Sequence, residues 1–319
     1  MKGTARETDT RTAGVSVSTD QAELHKTRLK GFMIAGLGVL LLSPDALLVK
    51  STSVTPVTFL FWRGLLLALA FAVINGIRYR SRLIPEMRAC GRRGLYCGLA
   101  FAGSTLGFVT GMKNTAAGNV LVILNTAPVI AALLAWAIWR ERLPLRTWVL
   151  ILVCISGATL MAVGEMGKGQ PLGLVMAGVA AFSLASNLAV ARSRPHADMS
   201  LMLIFGALLI CIVAAFFGGA QWPGWRDFGF IVLLCVGFLP GASILIQTGP
   251  RYIPAAEVSL LLLLETVLGT LLVWYFLGEL PGPLAFAGGA IILSALAING
   301  FIEDRRQRRR ARETLAEQA

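Results

Sequence analysis

Three ionisable side chains stand inside long apolar segments, and they are the residues of this sequence best placed to do chemistry. Asp45 follows Pro44 in VLLLSPDALLVKS, Arg63 stands in FLFWRGLLLALA, and Glu265 stands in LLLLLETVLG. An unpaired charge at membrane depth costs roughly 2.5 to 3.5 kcal/mol, so such residues pair with one another or face a water-filled cavity. The chemistry that they indicate is ion pairing, ligand binding or proton transfer.

The composition places these residues in a chain that is embedded in lipid. Hydrophobic residues make up 56% of the 319 residues, charged residues make up 14%, and the mean hydropathy is +0.72. A water-soluble core could not hide this much apolar side chain. We therefore expect an all-α integral membrane protein, because backbone polar groups in lipid are satisfied within each helix.

Ten apolar runs of about 20 residues predict ten transmembrane helices. The runs are Lys30–Lys50, Pro56–Ile77, Gly94–Met112, Ala117–Ile138, Leu145–Gly164, Pro171–Ala191, Met199–Gly218, Phe228–Thr248, Pro254–Phe276 and Leu284–Ile302.

The positive charges orient these helices. With the N-terminus in the cytoplasm, 24 of the 29 Lys and Arg residues lie on the cytoplasmic side and four on the other side, as the positive-inside rule requires. We expect both chain ends to be cytoplasmic, in the cell (inner or plasma) membrane. Residues 1–29 are expected to form a disordered leader, and residues 303–319 a basic tail that contacts anionic lipids rather than nucleic acid.

An internal repeat divides the chain into two halves. A shift of 138 positions aligns residues 113–141 with residues 251–279, including Trp136 with Trp274 and Glu141 with Glu279. Each half, 30–166 and 167–302, then holds five helices, and an odd number inserts the second half in the opposite sense. Inverted repeats of this kind are found in secondary transporters, whose substrate site lies near the midplane between the repeats.

The motifs around this repeat carry a family resemblance. LPLRTWVLI follows WRE in the first half, LPGPLAFAGGAII follows LGE in the second, and FWRG and AAEVSLLLLLE stand in helices 2 and 9. The chain resembles the EamA permeases of the drug/metabolite transporter superfamily. The resemblance implies a five-plus-five fold and export or exchange of small metabolites; aromatic amino-acid exporters are similar in architecture. The alternative is a lipid-linked substrate flippase or a non-transporting membrane subunit.

The sequence departs from the family pattern in helix 9. The family often carries a proline just after the helix 9 acid, whereas this chain keeps Pro128 in helix 4 and has Thr266 at the matching position in helix 9. We therefore predict that helix 9 is the straighter of the two.

Asp45 and Arg63 are expected to form an ion pair, because they lie at similar depth on consecutive antiparallel helices. Pro44 removes a backbone hydrogen bond and should bend helix 1 at this point. Two interpretations stay open: the pair locks helix 1 to helix 2, or it gates the outer mouth and contacts a zwitterionic substrate.

Four other side chains are candidates to line a central cavity. Glu265 lies among leucines at mid-helix, where loss of water favours its neutral form. It could carry a proton, bind a substrate ammonium group, or hydrogen-bond a neighbouring backbone. Asn125, Ser183 and Asn187 could contact substrate or join helices through hydrogen bonds.

Enzymatic chemistry has little support in the sequence. His25 and His196 have no second ligand at metal spacing, and no P-loop or nucleophile elbow is found. We expect no cofactor and no metal, and transport driven by an ion gradient or by exchange. Phe108 and Trp136 could line a cavity, but contact with lipid is the favoured expectation for both. Glu257 is expected to lie in the first turn of helix 9 as a helix-dipole partner.

Overall fold

The structure is a computed structural model, and it describes most of the helical part of the chain. The described residues are 27–115, 117–140, 145–163, 171–193, 197–253 and 255–278, together with 283, 284, 286–288, 290, 291, 294, 295, 298 and 305. The leader up to residue 26, most of the predicted tenth helix, and the tail except for Arg305 lie outside the described residues.

The described part of the chain is all helical apart from turns and short connections. In chain order the helices are α1 (Thr27–Lys50), α2 (Pro56–Tyr79), α3 (Leu83–Asn114), α4a (Ala117–Leu124), α4b (Ala127–Trp139), α5 (Leu145–Val163), α6 (Pro171–Arg192), α7 (Met199–Phe216), α8 (Trp225–Arg251) and α9 (Ala255–Leu277).

Membrane-length helices are present in both halves. Among the described residues, five stretches are long and apolar enough to cross a membrane: α1, the α2–α3 stretch from Pro56 to Asn114, residues 171–191 of α6, α7 and α8. The protein is therefore a multi-pass membrane protein. The stretch from Pro56 to Asn114 holds two α-helices, because a 3₁₀ turn at Arg80–Arg82 separates α2 from α3.

Local signals set where these helices begin. Thr55 caps α2 by accepting a hydrogen bond from the backbone N–H of Thr58, and Pro56 occupies the first turn, where its missing N–H costs nothing. Glu257 lies in the first turn of α9, as predicted, and its carboxylate also accepts a hydrogen bond from Arg28 at 3.0 Å. The start of α9 is thereby joined to the start of α1.

The segment before the predicted helix 3 is itself helical, and a kink at Gly91 separates it from the predicted span, which starts at Gly94. The helical stretch begins at Leu83, and its backbone leaves the helical conformation at Gly91, whose φ of 58° and ψ of −154° kink the chain there. Only glycine adopts such a positive φ without strain. Leu83, Met87 and Cys90 pack against the Met199–Met202 turn. An apolar face on an arginine-rich segment therefore builds a helix that hydropathy alone does not reveal.

Helices 4 and 9 differ as the proline pattern predicts. The helix 4 region is broken into α4a and α4b at Asn125 and Thr126, just before Pro128, whereas α9 runs without interruption. The Thr266 hydroxyl, on α9, donates a hydrogen bond to Asn125 Oδ1 at 3.1 Å. The predicted difference is confirmed, and the replacement residue itself bridges the two helices.

Helix α8 is also irregular at mid-length. Residues Leu233–Phe238 form a π-helical segment, followed by Pro240, which has no N–H to donate. π-Segments recur at functional sites because they change the direction of the side chains that follow. The residues after this segment on α8 line the cavity described below.

The two halves interlock through glycine contacts. A Cβ atom on Gly64 of α2 would lie 2.5 Å from the backbone N of Cys211 on α7, and one on Gly107 of α3 would lie 2.5 Å from the carbonyl oxygen of Met176 on α6. Only glycine permits such approaches. Helices α2 and α3 of the first half are therefore held directly against α7 and α6 of the second.

Candidate functional site

A cavity of about 100 Å³ lies between the two halves of the chain. Helices α1, α2, α3 and α4a line it from the first half, and α6, α7, α8 and α9 from the second. Its polar lining is Asp45, Arg63, Ser104, Thr105, Asn187, Ser243, Gln247 and Glu265. Its apolar lining is Leu42, Phe101, Phe108, Leu124, Leu184, Leu188, Leu203, Leu239, Ile246 and Leu262.

Asp45 and Arg63 form the expected ion pair in the wall of this cavity. The two guanidinium NH groups of Arg63 donate to the two carboxylate oxygens of Asp45 at 2.7 and 2.8 Å. The side chains are only 3% and 4% exposed. Two parallel hydrogen bonds fix the orientation as well as the distance, so α1 and α2 are joined rigidly at this level.

The helical pattern of α1 is interrupted only at Ser43, two residues before Asp45. Pro44 opens a new helical segment at Pro44–Lys50, and Ser43 bonds back to the Val39 carbonyl through both its N–H and its hydroxyl, at 3.0 and 2.9 Å. Ser43 thus gives the carbonyl of the preceding turn two donors, next to the position where Pro44 has no N–H to donate.

Glu265 lies in the same cavity at the middle of α9, and 7% of its surface is exposed. One turn further along α9, Gly269 lies against Ser43 and Ala46 of α1, so Glu265 is about one turn from the level of the ion pair. Within the described part of the chain its carboxyl group makes no hydrogen bond. The cavity therefore contains an acid in addition to the paired Asp45.

Two amide side chains line the cavity on the side away from the ion pair. Asn187 donates its Nδ2 group to the Cys97 carbonyl at 3.2 Å, which leaves its buried Oδ1 without a hydrogen-bond partner. The Gln247 amide lies beside the Cys97 sulfur, which is a weak acceptor, and its buried Nε2 has no other hydrogen-bond partner. Each unsatisfied buried polar atom costs about 1 to 3 kcal/mol unless something binds it.

The structure brings four of the six predicted residues to this cavity: Asp45, Arg63, Asn187 and Glu265. Asn125 and Ser183 are not among its lining residues. Asn125, in the turn between α4a and α4b, accepts a hydrogen bond from Thr266 of α9, and the Ser183 hydroxyl lies against Gly103 where α6 packs on α3.

Of the two aromatic residues that were expected to face lipid, only one does so. Trp136 is 60% exposed on the outside of the bundle, as expected for contact with lipid. Phe108 is 7% exposed and lines the cavity, so the expectation that it faces lipid is wrong. Hydropathy is the same on both faces of such a helix and does not indicate which one faces inward.

Four polar lining residues escaped the sequence analysis: Ser104, Thr105, Ser243 and Gln247. A signal for one of them was present. Gln247 is a lone amide in the apolar run of α8, as Asn125 is in helix 4, and such an amide either contacts a ligand or joins helices.

A cluster of charged and polar groups lies beyond the amide end of the cavity. Asp198, in the loop before α7, pairs with Arg78 at 3.0 Å and Arg251 at 3.6 Å, and accepts hydrogen bonds from Tyr79 and Ser200. Burial acts to raise the pKa of Asp198, but these hydrogen bonds and positive charges outweigh it and hold the pKa below its ordinary value. The cluster joins α2, α7 and α8.

A second polar cluster lies beyond the other end. Asp227, at the start of α8, accepts hydrogen bonds from the N–H and hydroxyl of Ser53 at 2.9 and 2.8 Å. Lys113, at the end of α3, donates to the Thr52 carbonyl at 2.7 Å. The connection between α1 and α2 is thereby held against α3 and α8, so the cavity lies between two sets of polar contacts.

Known proteins resemble this chain over both halves. The model of the EamA-like transporter family matches residues 29–163 and 171–301. "Uncharacterized transporter YwfM" from Bacillus subtilis (strain 168) is 24% identical over 209 residues, which cover 60% of this chain and 67% of that protein. A solved crystal structure, described only as a protein, matches with a TM-score of 0.70 and 19% identity over 87% of this chain and 99% of that one, so the two share a fold.

Proposed function

Because the chain belongs to the EamA-like transporter family, we propose that this membrane transporter exports or exchanges small polar or amphipathic metabolites by alternating access. Amino acids and related compounds, aromatic ones included, are the proposed substrates. The observation that carries the proposal is the cavity, which both halves line and which combines a buried ion pair and a second acid with two phenylalanine rings. Charged groups suit the polar end of an amphipathic molecule, and apolar walls suit its side chain.

The proposed membrane arrangement follows from the charges and the repeat. Ten helices form two five-helix repeats, residues 30–166 and 167–302, with both chain ends in the cytoplasm of the cell that holds the protein in its inner or plasma membrane. The excess of Lys and Arg on the proposed cytoplasmic side supports this orientation. In this arrangement the Asp198 cluster closes the cytoplasmic end of the cavity, and the Asp227 and Lys113 contacts close the outer end.

Transport then requires the two sets of end contacts to break in turn. The Asp198 cluster would open while the Asp227 and Lys113 contacts hold, and the reverse would follow. Inverted repeats permit this exchange because one repeat can rock against the other around a fixed site. The Asp45–Arg63 pair lies on the outer side of the cavity, where it either locks two helices or contacts the charged group of the substrate.

Glu265 is the proposed coupling residue. When it is ionised, the cavity carries one more negative than positive charge, counting Asp45 and Arg63, and this favours a substrate ammonium group. When it is protonated, the three side chains carry no net charge and the attraction is lost. Proton binding and substrate binding at Glu265 would therefore compete, which is the requirement for proton-coupled exchange.

Flux measurements in liposomes that contain only this protein test the proposal. Radiolabelled amino acids are offered with and without a pH gradient, and saturable uptake that responds to the gradient is expected. Glu265→Gln should remove the response to the gradient, while the matched control Glu257→Gln, outside the cavity, should keep it.

Two results would contradict the proposal at different points. No saturable flux of any soluble metabolite would refute metabolite transport and leave a lipid-linked substrate flippase or a non-transporting subunit. Wild-type rate and wild-type pH dependence in Glu265→Gln would refute the coupling role alone.

A further inference from the structure

We propose that Asn187 and Gln247 form a second recognition subsite, which binds a neutral hydrogen-bonding group, such as a hydroxyl, at the end of the substrate away from Asp45 and Arg63. This assignment rests on the proposed transport function and identifies the part of the substrate that the cavity selects. The substrate class is an amphipathic amine or amino acid with a hydroxyl on the far side of an apolar body.

The two amides offer complementary hydrogen-bonding atoms. The Nδ2 group of Asn187 is committed to the Cys97 carbonyl, so its orientation is fixed and the atom left free is an acceptor. The atom of Gln247 that lacks a strong partner is a donor, Nε2. A hydroxyl can donate to the first and accept from the second, which satisfies both atoms at once.

Both amides are deeply buried. Asn187 is 4% exposed and Gln247 is 5% exposed, yet each keeps one polar atom without a partner. The Cys97 thiol beside Gln247 is only a weak hydrogen-bonding partner. Folding alone would favour an apolar side chain at such a position, and a ligand that completes the hydrogen bonds removes the penalty.

The spacing between the two polar regions sets the size of the substrate. Gly38 of α1 packs against Ile246 of α8, which places Gln247 at the level of Gly38. Asp45 lies seven residues further along α1, about 10 Å at the rise of an α-helix. Phe101 and Phe108 line the cavity as well. A benzene ring with a charged group on one side and a hydroxyl on the other matches this length. The cavity, at about 100 Å³, has to widen to take it, because benzene alone occupies a cavity of roughly 150 Å³.

Matched probe pairs that differ by one hydroxyl test the subsite. The pairs are L-tyrosine with L-phenylalanine, and tyramine with phenethylamine, measured as saturable flux into proteoliposomes. We expect the wild-type protein to favour the hydroxylated member of a pair by about ten-fold or more in kcat/KM, because a buried amide left unpaired opposes the analogue. Gln247→Met should reduce this preference to within about three-fold.

Thermal unfolding in detergent without substrate supplies a second measurement. Gln247→Met has a similar shape and removes an amide whose buried Nε2 lacks a strong partner, so its melting temperature should equal or exceed that of the wild type. The shift that tyrosine induces in the wild type should be lost. The control is Asn75→Leu, which also removes a fully buried amide with an unpartnered atom, but on α2 outside the cavity lining; it should keep the hydroxyl preference.

The outcomes separate the subsite from the transport function. Saturable flux with the same hydroxyl preference in the wild type and Gln247→Met overturns the subsite and leaves the proposed function intact. A lower melting temperature for Gln247→Met, with its preference unchanged, assigns the amide to packing and also overturns the subsite. No saturable flux of any of the four probes overturns this substrate class, and failure with all other soluble metabolites overturns the proposed function as well.

Discussion

Replacing Asp45 by asparagine should destabilise this protein more than any other single loss of charge in the cavity. The Asp45 carboxylate takes both NH groups of Arg63 at 2.7 and 2.8 Å, and both side chains are almost fully buried. A guanidinium keeps its charge at any working pH, so Asp45→Asn leaves a buried cation without its counter-ion. Breaking a buried pair in this way costs about 3 to 5 kcal/mol. Glu265 lines the same cavity and can compensate in part, which favours the lower end of that range.

Removing the other partner of the pair, Arg63, is expected to lower the free energy of unfolding by less. Arg63→Gln leaves Asp45 alone, and a carboxylate without a partner in an apolar site can take up a proton and become neutral. In the double variant Asp45→Asn/Arg63→Gln, two neutral amides can still form a hydrogen bond. It should therefore recover most of the stability, with a coupling energy of about 2 kcal/mol or more between the two positions.

Denaturant and thermal unfolding of the four purified proteins in one detergent give the required double-mutant cycle. Destabilisations that add to within about 0.5 kcal/mol would refute the reasoning, because they would mean that the two side chains do not stabilise each other. The charge-swapped variant Asp45→Arg/Arg63→Asp then separates the two interpretations of the pair. If it folds and transports normally the pair only locks α1 to α2, and if it folds without transporting the pair acts in gating or substrate binding.

Three further predictions concern the contacts around the cavity. The lowered pKa of Asp198 stabilises the protein fully above the ordinary Asp pKa of roughly 3.9 and is lost as the pH falls through the lowered value. The stability difference between the wild type and Asp198→Asn, followed by unfolding from neutral to acid pH, should therefore shrink in acid; a constant difference would contradict the assignment. Gly64→Leu should destabilise by about 1 to 3 kcal/mol or prevent folding, because its side chain meets the α7 backbone. Gly76→Ala, which meets nothing within 4 Å, should be neutral or stabilising in the same melting assay, and equal effects at both sites would disprove the α2–α7 contact. Thr266→Val should lower stability by about 1 kcal/mol through loss of the bond to Asn125, whereas an unchanged melting temperature would show that the bond contributes nothing.

The sequence alone was sufficient to predict the features that follow from the chemistry of single residues. An unpaired charge in lipid is so unfavourable that Asp45 and Arg63 were predicted to form an ion pair, and the structure confirms the pair. Proline lacks an N–H wherever it stands, so the irregularities at Pro44 and before Pro128 were predictable, as was the continuous α9. The repeat and the motifs that follow it were sufficient to indicate the family.

Only the tertiary structure decided which face of each helix is turned inward. Phe108 lines the cavity, Asn125 bonds another helix instead, and Gln247 lies in the lining although nothing distinguished it from other lone amides. The Asp198 cluster depends on three segments that are far apart in the chain. In lipid the outside of a bundle is as apolar as its packed interior, so hydropathy does not separate the two faces, and contacts between distant helices determine which residues form the site.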